Sequence, residues 1–138
     1  IISKELIKMN KNIDITIISG DDDFTQLLNK NIKIIDFKKK KFREMTQKES
    51  QQLLYQKILK GDCSDNIPTI LIKNRKVLSL QKRKELLENE KELETYLKEN
   101  PELRDQYIIN QKLIDFNYIP ESITKRVTEI IDVKDLIM

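Results

Sequence analysis

The strongest constraint on the fold is a short run of β-branched residues near the start of the chain, Ile13 to Ser19, with the sequence IDITIIS. Few polar residues interrupt it, which is typical of a strand buried on both faces of a parallel sheet. A loop rich in turn-forming and helix-capping residues follows, and Phe24 to Leu28 then has the pattern of a short helix. The sequence therefore predicts an α/β fold in which an acidic loop joins a buried strand to a helix.

Two further segments predict a β-hairpin. Ile32 to Phe37 and Lys41 to Met45 flank a lysine-rich turn. The turn contains neither Gly nor Asn, so the sequence does not fix its type. After the hairpin, Gln47 to Lys60 carries its apolar residues on roughly one helical face, and Gly61 is expected to end that helix.

Beyond Pro68 the pattern is helical and no β signal returns. Three helices are predicted, over Leu78 to Lys98, over Pro101 to Leu113, and from Pro120 to about Ile131. The expected organisation is an α/β part over residues 1–46 and a helical subdomain over residues 47–138. Because the chain opens without Met in a helix-like stretch, Ile2 to Asn10, we expect it to be a piece of a longer protein.

The residue types that are missing narrow the possible chemistry. There is no histidine, and Cys63 is the only cysteine. This excludes an internal disulfide, a multi-cysteine zinc site, and nucleophilic catalysis by Ser/His or Cys/His pairs. Chemistry must come from carboxylates, lysines or a hard cation. No apolar run approaches the ~20 residues of a membrane span, so we expect a cytoplasmic protein without membrane association.

The charges are unevenly distributed along the chain. Asn66 to Lys84 contains six Lys or Arg residues and no acid, whereas Glu85 to Asp105 contains eight acids and three bases. Distribution indicates partners better than the mild net charge of +3 does. One side of the molecule is therefore expected to face a polyanion.

The first candidate site is Asp21-Asp22-Asp23, at the end of the predicted strand, where open α/β sheets place their ligands. Alternate residues of such a turn, Asp21 and Asp23, can point the same way. Three adjacent acids repel one another, and either a cation or capping hydrogen bonds can offset the repulsion. The alternative is that one acid caps the following helix while the others are solvated.

The second candidate site is the loop Gly61-Asp62-Cys63-Ser64-Asp65-Asn66. Its two carboxylates, three residues apart just after a helix, can be aimed at one point. The alternative is again structural, since Asp and Asn are ordinary turn and N-cap residues.

Combined in this order, the two segments resemble a known family. Ile17 to Leu27, IISGDDDFTQL, is similar to the "I-S-x-D-x-D-F-x-Q-L" strand and loop of the 5′ nuclease (flap endonuclease) family. Ile58 to Pro68, ILKGDCSDNIP, is similar to its "G-D-x-x-D-N-I-P" loop. Leu113 to Pro120, LIDFNYIP, adds a match to the branch that includes the ribonuclease H of T-even phages and related viral 5′–3′ exonucleases.

The resemblance implies a fold and a reaction. The fold would be the carboxyl-terminal part of a PIN-like nuclease core, with short parallel strands and a β-hairpin, followed by a helix-three-turn-helix-like subdomain. The reaction would be metal-dependent hydrolysis of RNA primers or 5′ flaps on duplex DNA during replication. The alternative function is a non-catalytic module that binds duplex nucleic acid.

The resemblance also implies a metal site. It would hold two Mg²⁺ ions, with Mn²⁺ as a substitute, and carboxylate oxygens are the ligands that Mg²⁺ prefers. Asp21 resembles a first-metal ligand, and Asp23, Asp62 and Asp65 resemble the second-metal cluster, so that all four are candidate catalytic residues. Asp22 occupies a variable position and is expected to face solvent. The family's other acidic motifs lie upstream of the part matched here, so these residues alone are not expected to cleave.

The implied partner is duplex DNA with a 5′ flap, or an RNA–DNA hybrid, bound by a monomer. A replication clamp or a single-strand binding protein is the expected protein partner. Many family members carry a glycine-rich hairpin after the second loop, but Thr69 to Lys76 has no glycine, which favours Lys and Arg contacts with phosphates. The candidates are Lys38, Lys39, Lys40, Lys41 and Arg43, and Lys73, Arg75 and Lys76. The alternative for both groups is a solvated face.

Overall fold

The computed structural model describes residues 1–130 and divides into two compact units. The first comprises Ile1–Ser50 and the described residues from Ile119 onward, and the second comprises Gln51–Tyr118. Both helices and strands are present, which confirms the mixed α/β class. The predicted end of the last helix, Ile131, lies outside the described residues.

The first unit is built around a small sheet. Its elements are helix α1 (Ile2–Met9), strand β1 (Ile15–Ile18), a 3-10 helix (Asp22–Leu27), strands β2 (Ile32–Asp36) and β3 (Lys41–Phe42), and the start of helix α2 (Gln47–Lys60). Strands β1 and β2 are parallel, with Ile15 aligned to Ile32, and β3 is antiparallel to β2. The acidic loop therefore follows the carboxyl end of a parallel strand.

The prediction that β1 is buried on both faces is wrong. Its residues alternate between half-buried and exposed, and Ile18 is 69% exposed. The reason is that, within residues 1–130, the second face of β1 is left open to solvent, with Thr16 and Ile18 both exposed. The other face of the sheet is well packed, with Ile32 and Ile34 buried on β2.

The predicted hairpin is confirmed as β2–β3, hereafter the first hairpin. Its turn closes without glycine because Asp36 supplies the hydrogen bonds, accepting the backbone N–H groups of Lys38 at 3.0 Å and Lys39 at 3.1 Å through Oδ1. Lys40 adopts the left-handed conformation, with φ 52°. The pKa of the Asp36 carboxyl lies below its usual range, chiefly because the Lys39 N–H donates a hydrogen bond to it.

Helix α2 has the predicted bounds. It begins with a capping box, in which the Thr46 N–H donates to Glu49 Oε2 at 2.7 Å and the Glu49 N–H donates to Thr46 Oγ1 at 3.2 Å. Within the first unit, buried Ser50 donates its hydroxyl to the carbonyl oxygen of Thr25 at 2.7 Å. This bond ties the first turn of α2 to the 3-10 helix that follows the acidic loop.

The second unit contains a β-hairpin that the sequence did not predict. Strands β4 (Ile72–Lys73) and β5 (Lys76–Val77) pair antiparallel and form the second hairpin. Its two turn residues, Asn74 and Arg75, both have positive φ, as a type I′ turn requires. The expectation of no further strand is wrong because strands of two residues are too short to show alternation, and the turn lacks the usual glycine.

The remaining elements are helices. They are α3 (Leu80–Glu88), α4 (Glu90–Glu99) and α5 (Pro101–Ile114) in the second unit and α6 (Glu121–Ile130) in the first. The single helix predicted over residues 78–98 is thus divided in two. Asn89 is extended there, and its side chain caps α4 by accepting the N–H groups of Lys91 and Glu92.

The core of the second unit lies between its helices and the second hairpin. Its most deeply buried apolar side chains include Leu59, Ile70, Leu71 and Leu86. The Tyr96 hydroxyl lies within hydrogen-bond distance of the carbonyl oxygens of Ile70 and Ile72, which ties helix α4 to the base of the second hairpin. Among residues 1–130 no helix is both long and apolar enough to cross a bilayer.

Candidate metal-binding loops and nucleic-acid interface

In the first acidic loop (Gly20–Asp23), the aspartates have different local roles. Asp21 is exposed and is the N-cap of the 3-10 helix, because its Oδ1 accepts the Asp23 N–H at 2.8 Å. The backbone N–H of Asp21 in turn donates to Ser19 Oγ at 3.1 Å. Asp21 therefore caps the following helix, as the structural alternative predicted. This capping contact uses only one of its two carboxylate oxygens.

Asp22 takes part in an ion-pair network with the first hairpin. Its carboxylate is 76% exposed, as expected for this position, and contacts the guanidinium of Arg43. Arg43 Nη2 also lies 3.6 Å from Asp36 Oδ2, and the Arg43 side chain is only 13% exposed. Arg43, a predicted phosphate contact, thus has its guanidinium held between two carboxylates of the protein itself.

The second acidic loop (Gly61–Pro68) is closed on itself by backbone contacts. Asp62 and Ile67 form a β-bridge, and each N–H donates to the other's carbonyl oxygen at 2.8 Å. Gly61 has φ +72°, and a Cβ there would lie 2.3 Å from the carbonyl oxygen of Ile67. Asn66 is left-handed with φ 57°. The geometry of the loop therefore requires Gly61 and favours Asn at position 66, whatever the loop binds.

The Asp62 carboxylate is held in its charged form. Oδ1 accepts the Ser64 hydroxyl and the Ser64 N–H, the latter at 3.0 Å, and Oδ2 lies 2.9 Å from Lys57 Nζ. The hydrogen bond from the Ser64 hydroxyl, followed by that from Lys57, lowers the pKa of Asp62 to about 2. Asp65 is exposed, and its carboxylate makes no hydrogen bond or ion pair with any other described residue. A structural role thus accounts for Asp62, whereas none accounts for Asp65.

Asn110 supports the second acidic loop and was not singled out in the sequence. Its side chain is fully buried, and its Nδ2 donates to the carbonyl oxygens of Ile58 and Pro68, both at 2.9 Å. Its Oδ1 accepts Gln106 Nε2 at 2.9 Å. Asn110 thereby links helix α5 to the end of α2 and to the last residue of the loop. The available signal was an amide in a predicted helix directly after Ile108 and Ile109.

The four predicted metal ligands are shared between the two units. Asp21 and Asp23 lie on the first acidic loop in the first unit, and Asp62 and Asp65 lie on the second acidic loop in the second unit. Inside either unit, as far as the structure describes it, no three acidic or cysteine side chains are grouped so that they could hold a metal ion. Each loop thus supplies a pair of carboxylates, and the convergence of the two pairs stays a prediction.

Apart from Arg43, the basic residues predicted to contact phosphates lie at the tips of the two hairpins. Lys38, Lys39, Lys40 and Lys41 are exposed at the turn of the first hairpin, and Lys73, Arg75 and Lys76 are exposed at the turn of the second. Lys82 belongs to the same acid-free stretch as Lys73, Arg75 and Lys76. Its Nζ lies 3.0 Å from Glu85 Oε2 and 3.4 Å from Glu92 Oε2, so its charge is balanced by two ion pairs. The residues of the two hairpin tips, by contrast, form no ion pair with a described acid, unlike Arg43.

Comparison with known proteins adds no relative, since no protein-family model matches the chain and no curated protein matches it. The functional interpretation therefore depends on the two acidic loops and the two basic hairpin tips themselves.

Proposed function

We propose that the chain is the carboxyl-terminal part of a PIN-like 5′ nuclease of the flap endonuclease type, which hydrolyses phosphodiesters of RNA primers or 5′ flaps on duplex DNA during replication. The supporting observation is that both segments resembling the family's motifs form loops that carry paired carboxylates. The first follows the carboxyl end of a parallel strand, where open α/β sheets bind ligands. The second has a backbone fixed by its own β-bridge.

The chemistry of these side chains suits two Mg²⁺ ions, with Mn²⁺ as a substitute, because every candidate ligand is a carboxylate oxygen. Asp21 would bind the first ion, and Asp23, Asp62 and Asp65 the second, with further ligands from upstream parts of the parent protein. When bound, such ions activate a water molecule and stabilise the leaving oxygen. Ser64 and Lys57 hold Asp62 ionised, and the bridge between Asp62 and Ile67 keeps its backbone in place.

Substrate binding would use the second hairpin. Lys73, Arg75 and Lys76 are exposed around one tight turn, a compact positive tip suited to the phosphates of a duplex. A non-catalytic duplex-binding module is the second candidate function. It is favoured by the capping roles of Asp21 and Asp62, which give both residues a structural reason to be present.

The deciding experiment is a flap-cleavage assay on the parent protein with Mg²⁺. We expect Asp21→Asn and Asp65→Asn to lower the cleavage rate on the order of a hundred-fold or more, because an ion that loses a ligand loses much of its several kcal/mol of transition-state stabilisation. Asparagine preserves capping while removing charge, and Asp22→Asn is the matched control, expected to cleave normally. Cleavage that survives both substitutions would refute the catalytic assignment.

A second assay separates the two candidate functions. Charge reversal at Lys73, Arg75 and Lys76 should weaken duplex binding equally for all sequences, since phosphate contacts carry no sequence information. The module is the better description if the parent protein binds duplex through this tip but never cleaves a flap. The 138-residue chain alone is expected to be inactive, because its two loops supply an incomplete ligand set.

A further inference from the structure

The first hairpin exposes two aromatic rings beside its lysines. Phe37 is 54% exposed and Phe42 is 55% exposed. Phe42 is paired with Ile35 across the strands, so its ring belongs to the face of the sheet opposite to buried Ile34. Phe37 is the first residue of the turn, directly after β2. The tip therefore presents an aromatic residue at each end of a run of four lysines.

The lysines between the two rings are available to a polyanion. All four are exposed, and none of their ammonium groups lies within ion-pair distance of an acid among residues 1–130. The neighbouring acid, Asp36, uses Oδ1 to accept the N–H groups of the turn, and its Oδ2 faces Arg43. Lys38 Nζ lies 6.0 Å from the centroid of the Phe37 ring, so cation and ring form one surface.

A cavity of about 520 Å³ opens beside Phe42. Its apolar lining includes Phe42, Leu28 and Met45, and its charged lining residues are Lys30, Lys33, Arg43 and Glu44, three cations and one acid. A cavity of this size is in the range that holds small ligands. The positive aromatic surface thus continues from the turn along the hairpin.

We propose that the Phe37–Phe42 tip of the first hairpin binds single-stranded nucleic acid, with bases stacked on the two rings and phosphates paired with Lys38 to Lys41. Rings that stack on bases need exposed base faces, which a single strand offers and a duplex conceals. A positively charged surface combined with aromatic side chains is a common means of binding a strand without reading its sequence. The inference does not depend on the proposed nuclease activity, because it uses neither the carboxylates nor a metal ion.

The test is fluorescence anisotropy with the full 138-residue chain, a labelled oligothymidylate and EDTA, so that cleavage plays no part. The double variant Phe37→Leu/Phe42→Leu keeps apolar volume but removes the aromatic faces. It should raise Kd at least about five-fold to about a hundred-fold, the range for the loss of one stacked base. Tyr118→Leu, which removes an aromatic residue 45% exposed in the second unit, should leave Kd unchanged.

The lysines are tested by the salt dependence of binding. Lys39→Gln/Lys40→Gln should reduce the slope of log K against log salt by about 1.4, since each phosphate contact on a single strand contributes about 0.7. Lys91→Gln/Lys98→Gln, two exposed lysines on helix α4, should leave the slope unchanged. Thermal unfolding of every variant identifies any that has lost its fold.

Three outcomes would overturn the proposal. The first is equal affinity for the single strand and for a duplex of the same length, and the second is normal binding by the leucine variant. The third is no binding of any nucleic acid together with self-association that the leucine variant abolishes, which would make this face a protein interface. If the parent protein binds the single strand but does not cleave a flap, the proposed nuclease function is refuted and the single-strand proposal is not.

Discussion

The two acidic loops have the same beginning, a glycine followed by aspartate, but glycine is needed for different reasons in each. A Cβ on Gly20 would lie 2.9 Å from Cε1 of the Phe37 ring, which belongs to a half-exposed side chain. A Cβ on Gly61 would meet the backbone of Ile67 and Pro68, which cannot turn away. The first acidic loop is therefore held by side chains that can adjust, and the second by a backbone arrangement that cannot.

The same contrast extends to the carboxylates. Asp21 forms a single capping contact at an exposed position, whereas the Asp62 carboxylate is bonded to both Ser64 and Lys57. The loop that carries Asp62 is also held by the hydrogen bond from Asn110 to the Pro68 carbonyl oxygen. Similar residue patterns thus produce an exposed Asp21 with one capping contact and an Asp62 whose carboxylate oxygens are both bonded.

The largest expected effect is that of alanine at the two glycines. Gly61→Ala should lower the free energy of unfolding by about 2–5 kcal/mol, the sum of left-handed strain and a contact with backbone atoms. Gly20→Ala should cost about 1 kcal/mol or less, because the Phe37 ring can move. Urea denaturation measures both. Equal costs would show that the two loops are equally rigid.

The second prediction concerns the support of the rigid loop. Asn110→Ala should destabilise the chain by about 2–4 kcal/mol, since it leaves the buried carbonyl oxygen of Ile58 and the partly buried one of Pro68 without this donor. Hydrogen exchange at the amides of Asp62 and Ile67 should accelerate at the same time. Asn12→Ala, at an exposed position in the first unit, is the control. Unchanged exchange at Asp62 would separate Asn110 from the loop.

Sequence alone predicted the elements that have long or well-marked patterns. Helix α2 was predicted at its observed bounds because it is long and ends at a glycine, and the first hairpin was predicted because two β-rich segments flank a polar turn. The second hairpin was missed since only two residues on each strand are paired. The division of the helix at Asn89 was missed because Asn is compatible with a solvent-exposed helix position as well as with a cap.

The candidate site shows the same limit. Residue types identified Asp21, Asp23, Asp62 and Asp65 as candidate ligands, but not the contacts that determine their chemistry. Lys57 is five residues before Asp62, and Asn110 is far from it in the chain, so only the fold brings their side chains to the loop. Arg43, a predicted phosphate contact, likewise contacts Asp22 and Asp36, which the sequence alone did not indicate.

The third prediction tests how weakly the first acidic loop is held. Asp22→Asn should cost less than about 1 kcal/mol, because its ion pair with Arg43 lies at the surface. The difference from the wild type should vanish at 1 M salt, where surface charges are screened at about 3 Å. Asp14→Asn, an exposed acid of the same unit, provides the baseline. A large, salt-independent loss would mean that this network is as firm as the second acidic loop.

The last prediction concerns one titration. Asp62 should titrate near its lowered pKa of about 2 in an NMR measurement of the side-chain carboxyl carbon. Ser64→Ala should raise this pKa toward the ordinary Asp value of about 3.9, and Lys57→Gln should raise it less. A lowered folded-state pKa stabilises the chain above the unfolded-state value, and this contribution is lost as the pH falls through about 2. Wild type and Ser64→Ala should therefore differ in stability above pH 4 and converge in stronger acid.

Both hairpin turns place a cation at a left-handed position, Lys40 in the first and Arg75 in the second. Glycine would adopt that conformation without strain, so these side chains reduce stability by up to about 1 kcal/mol each relative to glycine. Lys40→Gly and Arg75→Gly should therefore raise the melting temperature. If the two tips bind polyanions as proposed, the same substitutions should lower that affinity, so engineering for thermal stability alone would weaken the two hairpin tips.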